Sequence, residues 1–125
     1  MLLATLIAAS LVVPVSIEHG APSGADAGSM LSPEQKVAAM RPLVSSATEC
    51  IARTVSANPR FAVAGAGTAF NELIVASVPS CIDALRSMID AYDRLYGAGT
   101  GETFFMGPYL DALPAAVTRR VKSAR

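Results

Sequence analysis

The side chains able to do chemistry in this 125-residue chain are few. Four carboxylates, Asp90, Asp93, Glu102 and Asp111, fall in one stretch of the C-terminal half. Two carboxyl groups at a suitable separation can run general acid–base hydrolysis. Asp90 and Asp93, three apart on a helix, would lie on adjacent faces, where Glu102 could join them. Arg86 and Arg94, however, stand four residues to either side of Asp90. That is the spacing of a solvated ion-pair ladder, and a structural role is the stronger reading. Calcium would want closely grouped oxygen ligands, and the loop Gly97–Glu102 offers one carboxylate. Imidazole chemistry rests on His19, the only histidine, and thiol chemistry on Cys50 and Cys81.

His19 sits in a segment expected to be removed. Leu2–Val13 is a continuous apolar run. It has the length of a signal-peptide core and is too short for a span of about 20 helical residues. Pro14, Gly20, Pro22, Gly24 and Gly28 then make a helix-hostile tract. Ser23-Gly24-Ala25 and Ala25-Asp26-Ala27 both fit small-x-small cleavage. No Lys or Arg precedes the run, so the leader is atypical or its start lies upstream. The reading is a signal segment and flexible tract over 1–27 and one domain over 28–125. Without His19 that domain could run neither a Ser-His-Asp nor a Cys-His mechanism, nor lend imidazole to a metal. No metal or other cofactor is expected. Without Glu18 and Asp26, eight acidic side chains face ten basic ones. That balance offers no stripe for nucleic acid.

Export also gives the cysteines a role, because an oxidising compartment lets Cys50 and Cys81 pair and a small domain gains from a staple. The pairing would occupy both thiols and exclude thiolate nucleophiles and Cys-rich zinc sites.

Glycine loops are the remaining polar candidates. Gly97-Ala98-Gly99-Thr100-Gly101 is rich enough in glycine to converge backbone N–H groups on an anion. It follows a helix rather than a strand, lacks the P-loop lysine, and places Glu102 where an anion would be repelled. Gly65-Ala66-Gly67-Thr68 precedes a helix but has neither strand nor lysine. Both read as connectors. Cys50-Ile51 and Cys81-Ile82 each open a stretch ending in Gly-Ala-Gly-Thr, yet too little matches between to argue for duplication.

The segment C-terminal to Gly101 is more distinctive. Phe104, Phe105, Met106, Tyr109 and Leu110 stand close together between turn signals. They either close a small core or form an aromatic patch for a partner, with Asp93, Arg94 and Glu102 as its polar rim. Aromatic side chains dominate interface energetics, which makes this segment the candidate binding site.

The elements positioning these residues read as all-α, a small bundle of four or five helices stapled by one disulfide. Ser32-Pro33-Glu34-Gln35 is a helix start of the capping-box type. Pro42 is expected to divide that helix, and Asn58-Pro59 to end it. Leu43, Ala47, Cys50, Ile51 and Thr54 or Val55 recur at helical spacing, as do Phe70, Leu73, Ile74 and Ser77 or Val78, where a helix is preferred to a strand over Leu73–Val78 for want of an alternating partner. Pro79–Tyr96 is the clearest helix, capped by Ser77 or Ser80. Its face is Ile82, Leu85, Met88 or Ile89, Tyr92, and Leu95 or Tyr96, and Gly97 is its left-handed stop. Gly107-Pro108 is expected to begin a turn of helix, and Pro114 to open the last one. Its end carries Arg119, Arg120, Lys122 and Arg125, where positive charge complements the helix dipole. The alternative for these four is an anionic-surface patch, weak without an amphipathic face.

Together these features point to an exported protein, periplasmic or secreted, with no stable membrane span after signal removal. Its expected mode is binding another macromolecule, an envelope protein, as accessory, inhibitor or chaperone. The alternative is a small-ligand-binding protein or carboxylate-dependent hydrolase centred on Asp90, Asp93, Glu102 and Asp111.

Overall fold

The computed structural model describes residues 30–64 and 67–123. The apolar leader, its cleavage positions, His19, Gly65, Ala66 and Arg125 lie outside the described residues. Every regular element among the described residues is helical. The order is α1 (Pro33–Ala57), α2 (Phe61–Ala64), α3 (Thr68–Ser77), α4 (Ile82–Tyr96), α5 (Thr100–Phe104) and α6 (Leu110–Ser123). A 3-10 turn over Val78–Cys81 leads into α4, and a π-helical segment over Phe105–Tyr109 joins α5 to α6.

Helix α1 starts as its sequence requires. Ser32 Oγ accepts from the Gln35 backbone N–H at 3.1 Å, and Gln35 Oε1 accepts from the Ser32 N–H at 2.9 Å. Asn58 caps its far end. Pro42 does not divide it; α1 is continuous over 25 residues. Proline in a helix interior costs about 3 kcal/mol. Here Pro42 and Ala38, whose carbonyl loses its partner, both face solvent, and water can satisfy that oxygen. The buried face carries through from Met40 to Ala47, Ile51 and Val55, and this packing offsets the local loss.

The other prolines are absorbed similarly. Helix α5, the π segment and α6 form one unbroken helical run, so neither Pro108 nor Pro114 opens a new helix. Pro108 falls inside the π segment, whose wider turn already departs from regular α bonding.

Helix α1 is the central element, packing against α4, α6 and α3. Around it gather Phe70, Leu73 and Ile74 from α3, Leu85 and Met88 from α4, and Leu113 and Val117 from α6. Ile82, expected inside, is 39% exposed, so the inner face of α4 begins at Leu85. No serine side chain caps α4; Ser77 Oγ instead donates to the Ile74 carbonyl within α3. The Arg86–Asp90–Arg94 ladder does not close: all three are exposed without an ion pair, and the ion pair found among the described residues is Arg120–Glu49. Exposed pairs gain little against the entropy of holding two long side chains.

The Cys50 and Cys81 sulfurs lie 2.09 Å apart, at bonding distance, fastening the C-terminal half of α1 to the start of α4. The two residues are separated by 31 positions. Closing a loop of that length removes roughly 3.5–4 kcal/mol of denatured-state entropy in the chain-entropy model.

The turn into α5 depends on three glycines. Gly97 ends α4 as expected, at φ 116° and ψ 151°, and the αL conformation itself falls at Gly99, with φ 83° and ψ −14°. Gly101 then brings α5 directly onto α4, and a methyl group there would overlap the Ile89 carbonyl and crowd the Asp93 carboxylate.

Two outcomes are expected in urea denaturation. The Cys50→Ala/Cys81→Ala chain should lose about 3–4 kcal/mol of unfolding free energy, and reductant should reproduce that loss in the wild type only. Gly101→Ala should cost about 1–3 kcal/mol by overpacking, whereas Gly107→Ala, with open space around it, should stay within about 0.5 kcal/mol. Equal effects at the two glycines would refute the close-approach account.

Candidate functional site

Gly101 allows the first turn of α5 to rest on α4, and this contact brings the aromatic side chains together. The Gly101 N–H donates to Asp93 Oδ1 at 2.7 Å, so a carboxylate caps the start of the run. Three residues on, the Phe104 ring stacks on Tyr92, with centroids 4.4 Å apart and planes 7° from parallel. Tyr92 stacks in turn on Tyr96 at 4.3 Å. Tyr109 lies 6.1 Å beyond Phe104, and Phe105 lies 5.9 Å from Tyr109. Such pairs add roughly 0.5–1.5 kcal/mol each beyond their burial. The Lys36 ammonium stands 5.2 Å from the Tyr96 ring centroid, at cation–π distance.

This aromatic ladder floors an open groove of about 1040 Å³. One wall is α1, through Val37, Met40, Val44 and Thr48; the other is α6, through Ala116 and Ser123. Tyr92, Tyr96 and Phe104 lie between them. The charged lining residues are Arg41, Glu49, Arg119 and Arg120. Arg120 Nη1 donates to Glu49 Oε2 at 2.9 Å and Nη2 to Ser45 Oγ at 3.1 Å, tying α6 to α1 across one end. Arg41 and Arg119 have no ion-pair partner among the described residues.

Beneath the groove lies a buried polar pair. Thr48 Oγ1 donates to the Val44 carbonyl at 2.7 Å and lies 3.2 Å from the Tyr109 hydroxyl. With its one proton directed at Val44, Thr48 accepts, and the phenol donates. Tyr109 is 5% exposed. Burial pushes its phenol above the ordinary value of 10.0, with the charge of Arg120 acting in the opposite direction.

The expected partner-binding segment is therefore divided. Phe104 lines the groove; Phe105 and Leu110 are half-buried against the core; Tyr109 is buried; Met106 is 62% exposed. Asp93 is committed to its bond with Gly101, while Glu102 is exposed and Arg94 lies outside the groove lining. Asp90 and Asp111 are likewise exposed, and none of the four carboxylates lines the groove. Among the described residues no three His, Cys, Asp or Glu side chains cluster as a metal site requires, and no helix is long and apolar enough to cross a membrane.

Sequence reasoning passed over Val37, Val44, Tyr92, Tyr96 and Arg119 as groove residues. Val37 with Val44, seven apart, and Tyr92 with Tyr96, four apart, were visible as pairs. That they share one groove depends on the chain reversal after Tyr96. No protein-family model, no curated protein and no solved structure matches the chain.

The Tyr109 shift has a definite sign. A phenol raised in the folded state contributes stability that is whole below pH 10.0 and is lost as pH climbs through the folded value. Tyr109→Phe removes that dependence, so the stability difference between wild type and variant should shrink as pH rises above 10. Chemical denaturation at several pH values checks it, and a constant difference would refute the buried, donating phenol.

Proposed function

We propose that this chain is a small exported helical protein that acts by binding another macromolecule, an envelope protein, and performs no catalysis of its own. The groove between α1, α4 and α6 is the docking surface. One observation carries the reading: an open groove of about 1040 Å³ whose floor is a continuous stack of Tyr96, Tyr92 and Phe104. Aromatic rings with polar tips are the side chains that dominate protein interfaces.

Val37 and Tyr96, at 53% and 37% exposed, open this floor to solvent at one end. Export is supported by the apolar run Leu2–Val13 and by a bonded cysteine pair, which belongs to oxidising compartments. The competing reading, a ligand carrier or hydrolase centred on Asp90, Asp93, Glu102 and Asp111, has less behind it. Those carboxylates lie outside the groove, and one already caps a helix.

A photo-crosslinking amino acid placed at Val37, in the groove, should capture one discrete partner in the envelope of the organism that makes the protein. The same group at Val75, which is 69% exposed on α3, should not capture it. Both positions are solvent-facing, so folding is preserved. The same adducts from both positions, or none from position 37, would remove the groove as docking surface.

A further inference from the structure

The groove has a charge character that the whole chain lacks. Formal net charge is +0, yet three of the four charged residues lining the groove are arginines, and Glu49 is already paired with Arg120. The two remaining guanidiniums stand on opposite walls, Arg41 on α1 and Arg119 on α6. Lys36 adds a further positive group beside Tyr96. An occupant lying on the aromatic floor would therefore meet a cation without an ion-pair partner on each flank.

Backbone chemistry narrows the occupant further. Every wall of the groove is helix surface, whose backbone groups are bonded internally, and there is no strand edge among the described residues. An extended peptide laid there would leave its own N–H and C=O groups without partners. A helix arrives with those groups satisfied and offers a stripe of side chains to the floor. A single acyl chain would suit a closed tunnel better, because an open groove leaves much of it in water. The α1 wall from Val37 to Glu49 is on the order of 18 Å long at 1.5 Å per residue, the length of about three helical turns.

We infer that the partner segment is an amphipathic helix of about three turns, with an apolar stripe flanked on both sides by Asp or Glu. This rests on the groove being the docking surface, and it specifies the partner's chemistry. The carboxylates pair with Arg41 and Arg119 while the stripe covers Tyr96, Tyr92 and Phe104. Pairing of this kind, at an exposed rim, governs selectivity and salt dependence more than total affinity.

The test is a displayed library of fourteen-residue peptides with apolar side chains at helical spacing and the flanking positions randomised over Asp, Glu, Lys, Arg, Gln and Ser. It is selected on the full-length protein and, separately, on Arg41→Glu/Arg119→Glu. Neither arginine is buried, so the variant should keep the wild-type circular dichroism and melting curve. Acidic flanks should be enriched about tenfold over basic ones on the wild type, and the bias should reverse on the variant. Selected peptides should weaken with added salt and lose binding to the Val37→Asp protein. Binders that need Val37 but show no acidic bias would overturn the charge inference and leave the groove standing. No binder sensitive to Val37, with one-to-one uptake of dodecanoate monomer instead, would overturn both and assign the groove to a free amphiphile.

Discussion

One bond between sulfurs holds the rest in place. A domain of roughly a hundred residues buries little surface per residue and is stable by only about 5–15 kcal/mol. Fastening Cys50 to Cys81 ties the C-terminal half of α1 to the start of α4. From that point α4 runs back along α1, bringing its C-terminal tyrosines beside the N-terminal half of the longer helix. With Tyr92 and Tyr96 so placed, the chain reversal at Gly97–Gly99 delivers Phe104 onto the same stack. The fastening lies toward the opposite end of α4 from Tyr96. The Tyr96 end of the groove thus lies away from the covalent tie, and the Arg120 contacts to Glu49 and Ser45 connect α6 to α1 nearer the disulfide.

Local signals were legible where the chemistry is local. Ser32 and Gln35 spelled out a reciprocal cap, Asn58-Pro59 an end, and the cysteines a pair, and the structure contains all three features. The helical stripe of α4 was legible except at Ile82, which lies at the edge of the buried face. The prolines misled for one reason. Proline breaks an isolated helix, but at Pro42 a buried face on both sides and solvent behind keep the helix whole. Gly97 was legible as the stop of α4, at positive φ, and the turn adds a second positive-φ glycine at Gly99.

The candidate site was less legible because it is assembled from separate elements. Phe104 stood out by composition, and it does line the groove; its neighbours Phe105 and Tyr109 face other surroundings. Arg119 and Arg120 read as a tail complementing a helix dipole, and in the folded chain they form part of a wall opposite α1. A balanced overall charge concealed this, since net charge averages over faces that never meet. The carboxylates that looked most chemical are those the fold leaves in solvent or commits to the backbone.

The π segment at Phe105–Tyr109 has a geometric consequence of its own. A wide turn of this kind equals one residue inserted into a regular helix, and each residue of a helix rotates its successors by about 100°. Phe104 before it can therefore face α4 while Leu113 and Val117 after it face the core around α1, along one continuous helical run. The segment works as a phase shifter: losing a single residue there would keep the run helical, yet turn its two halves out of step with the surfaces they cover.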